Sequence, residues 1–180
     1  SMGEPNISII IRHMKPLTSE DHQKVVEFSH QYQLQVFLQS KGPKTIKPLE
    51  VYTEPLGFEL KSFGLTYEFL PNDFIQVNRK MNEKMIAQAF DAMDIQADDI
   101  ILELFCGLGN FTWPMAQKAK QVIGVEGDNQ LVERAKHNAT LNQLDQVEFY
   151  EADLTLDHKN SDWFKVPYIK VLRGPPRSGA

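Results

Sequence analysis

From residue 100 onward, short apolar runs alternate with amphipathic segments. Continuous apolar runs are typical of buried strands, whereas helices present an apolar residue every three to four positions. The pattern predicts four strands and two helices, in chain order Ile100–Phe105, Phe111–Lys120, Val122–Glu126, Asn129–Leu141, Val147–Tyr150 and Tyr168–Leu172. Strands that alternate with helices indicate a parallel sheet with right-handed crossovers. We therefore expect a doubly wound α/β domain.

The first hundred residues carry shorter patterns. They predict a strand at Ile7–Ile11, a helix that begins at Thr18 with apolar positions as far as Leu34, and a second strand at Val36–Leu38. An exposed turn or linker at Ser40–Pro48 follows, then a hairpin at Phe58–Leu70 around Gly64 and a further helix at Asn82–Met93. We expect part of a small central α/β domain over residues 1–66 and the larger α/β domain over residues 67–180.

Composition indicates a globular protein of the cytoplasm. Hydrophobic residues make up 42% of the chain and charged residues 24%, and no apolar run approaches the roughly 20 residues of a membrane helix. The single cysteine excludes an intrachain disulfide and a cysteine-only metal site within these residues, and the five histidines lack metal-ligand spacing. We expect no membrane partner and no metal site in this segment.

The net charge of −5 does not by itself suggest a nucleic-acid partner. Nineteen basic residues are scattered among 24 acidic ones, whereas nucleic-acid-binding domains usually have a basic patch that neutralises phosphates. If RNA is the substrate, most of the binding free energy must therefore come from elsewhere.

A glycine turn after the first strand of the α/β domain predicts a ligand site. Gly107 and Gly109 lead from the strand directly into a helix, and glycine permits unusual dihedrals and a close ligand. In such folds ligands bind beyond the carboxyl ends of the strands. Glu126 ends the second strand, where an acid can accept hydrogen bonds from a ribose diol.

The turn distinguishes between two cofactors. A nicotinamide domain needs a third glycine, and Thr112 stands at that position; Asn110 and Phe111 are also poorly suited to a pyrophosphate. S-adenosylmethionine has no phosphate and needs polar groups for its amino acid end. The turn therefore favours S-adenosylmethionine, with a plain tight turn as the simpler alternative.

Several segments resemble the RNA uracil-C5 methyltransferases. They are Leu102–Pro114, Phe74–Asn78 and Pro175–Ala180, while Ile9–His13 together with Phe28–His30 resembles the 23S ribosomal RNA branch more than the transfer RNA branch. The resemblance runs from Ile7 to Ala180. It implies a class I, Rossmann-like S-adenosylmethionine-dependent methyltransferase fold, truncated here after its fourth strand, and a parent enzyme that methylates C5 of a uracil in 23S ribosomal RNA, not DNA.

The resemblance also implies cofactor contacts. The assigned residues are Gln76, Phe105, Gly107, Gly109, Asn110, Glu126 and Asp153. Gln76 and Asn110 would bind the amino acid end through their amides, and Phe105 would lie along the cofactor. Glu126 would bind the ribose, and Asp153 would accept from the adenine amine. Simpler interpretations are a core position for Phe105, a helix cap for Asp153 and a surface strand position for Gln76.

The resemblance places catalysis outside this segment. In the family a cysteine adds to C6 of uracil and a base removes the C5 proton, both in motifs after Pro-Pro-Arg. We expect Cys106 to be a small buried hydrophobe and no catalytic residue to lie within the chain. The iron–sulfur cluster possible in a full-length parent would be bound before residue 1.

One position departs from the family pattern. Gly174 stands where the family has an Asp near the cofactor and target base, so a non-catalytic module that binds RNA or protein is the alternative function. The fourth strand would also present a free edge, and such edges invite pairing between chains. We therefore expect the segment to be capable of self-association.

Overall fold

The computed structural model describes residues 7–52 and 54–174, which form two compact units. The first comprises the described residues up to Phe58 together with Glu68–Asp73. The second comprises Glu59–Tyr67 and the described residues from Phe74 onward. The predicted boundary between residues 66 and 67 stays a prediction.

The first unit contains a β-α-β piece. β1 (Ile7–Arg12) runs parallel to β2 (Leu34–Gln39), and α1 (Ser19–Gln31) connects them. Thr18 and Asp21 form a reciprocal capping box at the start of α1, which satisfies amides that the first turn leaves free. Tyr52 is bound to β2, since its hydroxyl accepts a hydrogen bond from the Val36 amide and donates one to the Val36 carbonyl.

Two expectations for this unit are wrong. Leu34 lies in β2 rather than in the helix, because α1 ends at Gln31 and Gln33 turns the chain with a φ of 52°. The predicted linker Ser40–Pro48 contains a 3-10 turn, Pro43–Thr45, and a short strand, β3 (Ile46–Pro48), antiparallel to β2. The segment is rich in Lys, Gly and Pro, which have low strand propensity, so the sequence did not indicate the strand.

The predicted hairpin is present as a two-stranded sheet. β4 (Leu56–Leu60) and β5 (Leu65–Phe69) are joined by a turn in which Gly64 has a φ of 63°. Leu60, Leu65 and Tyr67 are almost fully buried.

The second unit is built on a four-stranded parallel sheet. The strands are β6 (Ile100–Leu104), β7 (Gln121–Glu126), β8 (Val147–Glu151) and β9 (Lys170–Arg173), in the spatial order β8-β7-β6-β9. The helices are α2 (Arg79–Met93), α3 (Thr112–Ala116) and α4 (Asn129–Leu141). Because the order reverses between β6 and β9, a crevice is expected at the carboxyl ends of these two strands, beside the end of β7.

Helix α3 is shorter than the predicted helix Phe111–Lys120. It ends at Ala116, and the amides of Lys120 and Gln121 donate to the carbonyl of Asp99 instead of continuing the helix. Among the described residues, no helix is long and apolar enough to span a membrane.

Candidate cofactor site

The turn after β6 has an unusual backbone. Phe105, Gly107 and Gly109 have φ values of 63°, 55° and 87°, a region that non-glycine residues seldom occupy and that is costly for Phe105. Such outliers concentrate at functional sites.

The two glycines are required for different reasons. A Cβ on Gly107 would meet nothing within 4 Å, whereas one on Gly109 would lie 2.6 Å from Nε1 of Trp113. Gly109 therefore allows the turn to pack on a fully buried indole. Of the two, only Gly107 faces open space in which a ligand could approach the backbone.

Glu126 links the ends of β6 and β7. Its Oε2 accepts the amide of Gly107 (3.0 Å), and its Oε1 accepts those of Gly127 (2.8 Å) and Asp128 (3.2 Å). Three donated hydrogen bonds hold the carboxylate in one orientation, yet a carboxylate has about four acceptor positions. Glu126 and Gly107 thus meet at the carboxyl edge of the sheet.

Asn110 is paired with a residue that the sequence analysis did not single out. The amides of Asn110 and Asn82 exchange two hydrogen bonds, of 2.7 and 2.8 Å, and Asn82 is 1% exposed. The hydroxyl of the buried Tyr67 lies 3.4 and 3.3 Å from the carbonyls of Gly109 and Asn110. One N–H and one acceptor position of the Asn110 amide stay available for a ligand.

Asp153 and Gln76 are not hydrogen-bonded to Glu126. Oδ1 of Asp153 accepts both the amide and the hydroxyl of Thr155, which lowers the pKa of this carboxyl. The expected alternative, a helix cap, does not apply because a turn follows. Gln76 is partly buried in an irregular segment before α2. No hydrogen bond brings either residue into contact with Glu126.

A buried carboxyl supports the turn from within. Glu103 in β6 is 4% exposed and accepts the hydroxyl of Thr112, the first residue of α3. Burial raises the pKa of Glu103 to about 8, although the hydrogen bonds from Thr112 act in the opposite direction. An acid within an otherwise apolar strand was visible in the sequence, but its partner was not.

Cys106 is buried, as expected. A Cβ on Gly124 would lie 2.9 Å from its sulfur, so the thiol packs against the backbone of β7. Burial, and then the charges of Glu103 and Glu126, raise the pKa of Cys106 well above its usual value. Within the described residues, no group of three or more His, Cys, Asp or Glu side chains could hold a metal ion.

Gly174 follows β9 at the same edge of the sheet. Its amide donates to the carbonyl of Leu104, at 3.3 Å, and a Cβ at this position would meet nothing within 4 Å. A Cβ atom at this position therefore has room among the described residues. The adjoining motif Pro175–Ala180 lies outside the described residues.

Comparison with known families decides the assignment. The family model described as tRNA (Uracil-5-)-methyltransferase matches residues 3–155. The chain belongs to this family. Its curated relatives include the 23S rRNA (uracil(1939)-C(5))-methyltransferases of Xanthomonas campestris pv. campestris, 46% identical over 178 residues, and of Stenotrophomonas maltophilia, 44% identical over 178 residues. The resemblance to the 23S ribosomal RNA branch is confirmed. Each alignment covers 99% of this chain and 40% of the relative.

Solved structures in this fold class agree with the parallel sheet. The Pyrococcus abyssi tRNA (uracil-54, C5)-methyltransferase in complex with S-adenosyl-L-homocysteine has a TM-score of 0.63 and 21% identity, over 81% of this chain and 35% of that one. The tRNA m1G37 methyltransferase of M. jannaschii has a TM-score of 0.57 and 14% identity, over 87% of this chain and 48% of that one. The predicted class I methyltransferase fold is confirmed.

Proposed function

We propose that the second unit binds S-adenosylmethionine at the carboxyl edge of β6 and β7, as part of a longer cytoplasmic enzyme that methylates C5 of a uracil in 23S ribosomal RNA. The main support is the oriented carboxylate of Glu126, which is fixed by the Gly107 amide beside an open glycine turn. Family membership and the 23S ribosomal RNA relatives support this reaction and this substrate class.

The residues at this edge fit the chemistry of the cofactor. Glu126 retains acceptor capacity for a ribose hydroxyl, and Asn110 retains an amide N–H and an acceptor position for the amino acid end. Asp153, whose carboxyl is held in its ionised form, would accept from the adenine amine, and Gln76 and Phe105 would complete the contacts. When bound, the cofactor supplies an electrophilic methyl group. The protein residues bind and orient it.

Calorimetry with S-adenosylhomocysteine and with NAD tests this assignment. We expect binding of S-adenosylhomocysteine alone. Glu126→Ala should weaken it by about 1.5–3 kcal/mol, the usual contribution of hydrogen bonds to a charged acceptor. Glu59→Ala, which removes an exposed acid of β4, is the matched control. Binding of NAD alone, or equal affinities for Glu126→Ala and the control, would contradict the proposal.

The second candidate, a non-catalytic RNA- or protein-binding module, is favoured by Gly174. Because a Cβ at this position would meet nothing within 4 Å, Gly174→Asp should fold normally. If the site is a cofactor site that lacks one acid, the substitution should strengthen S-adenosylhomocysteine binding. No S-adenosylhomocysteine binding by either protein would favour the module. With Cys106 buried and protonated, we expect no transfer of labelled methyl groups to ribosomal RNA by the 180-residue chain.

A further inference from the structure

The first unit contains a cavity that is not part of the proposed cofactor site. Its volume is about 470 Å³, and it lies where β1 and β2 end, because His13 directly follows β1 and Ser40 directly follows β2. The 3-10 turn and β3 contribute Lys44 and Lys47 to its lining. The carboxyl ends of parallel strands are a common position for ligands in α/β structures.

The titratable groups that line this cavity are all basic. They are His13, His22, Lys44 and Lys47, and no Asp or Glu is among the lining residues. The chain as a whole has 24 acidic and 19 basic residues, so the local excess is opposite to the overall charge. Within residues 7–52 and 54–174, neither Lys44 nor Lys47 forms a salt bridge.

The acids nearest along the chain to Lys47 and to His22 are already engaged. Glu50, three residues after Lys47, lies 2.8 Å from Nε2 of His30. Glu20, in the first turn of α1, pairs with Lys24 at 2.7 Å, and Asp21 accepts the amide and hydroxyl of Thr18. The ring of His13 is held in place, since its Nδ1 lies 2.8 Å from the carbonyl of Lys15. The site therefore offers fixed imidazole and flexible ammonium groups without a competing carboxylate in its wall.

We propose that this cavity binds phosphate groups of the RNA backbone. Exposed lysines gain affinity for a polyanion by releasing its condensed counterions, which a small free anion does not provide. His13 also belongs to the segment Ile9–His13, which resembles the 23S ribosomal RNA branch and has no part in the cofactor site. The proposal rests on the proposed function, because RNA as the substrate comes from that assignment.

The experiment measures binding of a fluorescently labelled, uracil-containing single-stranded RNA oligonucleotide to the 180-residue chain by anisotropy at several salt concentrations. The variant Lys44→Gln/Lys47→Gln removes two charges from the cavity. Losing two phosphate contacts should reduce the slope of log K against log salt by about 1.4, which corresponds to about 25-fold weaker binding at about 0.1 M salt. Lys136→Gln/Lys159→Gln, on exposed surface of the second unit, removes the same charge and is the control.

An equal loss of RNA affinity in the two double variants would show that only the net charge of the protein matters, and it would overturn the proposal. Unchanged RNA binding by the cavity variant would overturn it as well. Thermal unfolding in the presence of inorganic phosphate tests the alternative of a site for a small free anion. If phosphate stabilises the wild type but not the cavity variant, and both proteins bind RNA equally, the cavity is such a site and the proposal is wrong. Lys44→Glu/Lys47→Glu should give a larger loss of affinity in the same direction, and circular dichroism confirms that each variant folds.

S-adenosylhomocysteine binding by the same variants separates this proposal from the proposed function. The cavity variant should bind S-adenosylhomocysteine as the wild type does. If neither protein binds it but the cavity variant alone loses RNA affinity, the cofactor assignment fails and the phosphate site stands.

Discussion

Glu103 makes a prediction about pH that can be tested on the isolated chain. This carboxyl is almost fully buried in β6 and accepts the hydroxyl of Thr112. Burial raises its pKa from 4.5 to about 8 in the folded protein. The folded state therefore binds the proton more tightly than the unfolded state does. The stability that this proton contributes is fully present below pH 4.5 and is lost as the pH rises through 8.

The size of the effect follows from the two pKa values. Each pH unit between them costs about 1.4 kcal/mol of unfolding free energy, so the loss amounts to about 3 kcal/mol at pH 7 and about 5 kcal/mol well above pH 8. Glu103→Gln places a neutral group of the same shape beside Thr112 and removes the titration. We expect the variant to match the wild type near pH 4.5 and to be more stable by about 3 kcal/mol at pH 7.

Urea unfolding followed by circular dichroism, repeated from pH 5 to pH 8, measures this difference. Glu59→Gln, which changes an exposed acid of β4, provides the control for removal of one negative charge. If the curves of wild type and Glu103→Gln stay parallel across the range, Glu103 is ionised in the folded protein, and the argument from its burial is wrong.

Three further predictions concern the turn and the sheet edge. Asn82→Ala should weaken S-adenosylhomocysteine binding but leave the affinity for 5′-methylthioadenosine unchanged in calorimetry, because Asn82 holds Asn110 and we assign Asn110 to the amino acid end. Gly109→Ala should lower the unfolding free energy by about 1–3 kcal/mol in urea titrations, since its Cβ would press on Trp113 and its φ is 87°; Gly107→Ala avoids the steric contact and should cost less. The 180-residue chain should self-associate through β9 in light scattering, and a monomer of 20.6 kDa that melts cooperatively would contradict this.

The sequence predicted best those elements whose ends are marked by local chemistry. Helix α4 spans Asn129–Leu141, as expected, because Asp128 caps it and its apolar positions repeat at helical spacing. The carboxyl edge of the sheet was also predictable, since Glu126 ends one recognisable strand and Gly107 lies in the turn that follows another. The hydrogen bond that the Gly107 amide donates to Glu126 forms because β6 and β7 are parallel neighbours in the sheet.

The elements that the sequence missed depend on distant partners. The pairing of Asn82 with Asn110 joins residues 28 positions apart, and neither side chain indicates the other in the sequence. Helix α3 ends at Ala116, and the amides of Lys120 and Gln121 donate to the carbonyl of Asp99, on another part of the chain. Strand β3 forms because β2 offers a free edge to a segment of low strand propensity.

The same carboxylates that support the turn explain how a cysteine can occupy it. Cys106 lies between Phe105 and Gly107, at the place where we propose that a methyl donor binds, and only a thiolate would be an effective nucleophile. Burial keeps the thiol protonated, and the charges of Glu103 and Glu126 raise its pKa further. In the proposed function an oriented acid at this edge binds the ribose, and an acid so close to a buried sulfur also keeps the thiol inert. Replacing Glu126 should therefore weaken cofactor binding without making Cys106 the nucleophile, because burial, the largest cause of its raised pKa, stays in place.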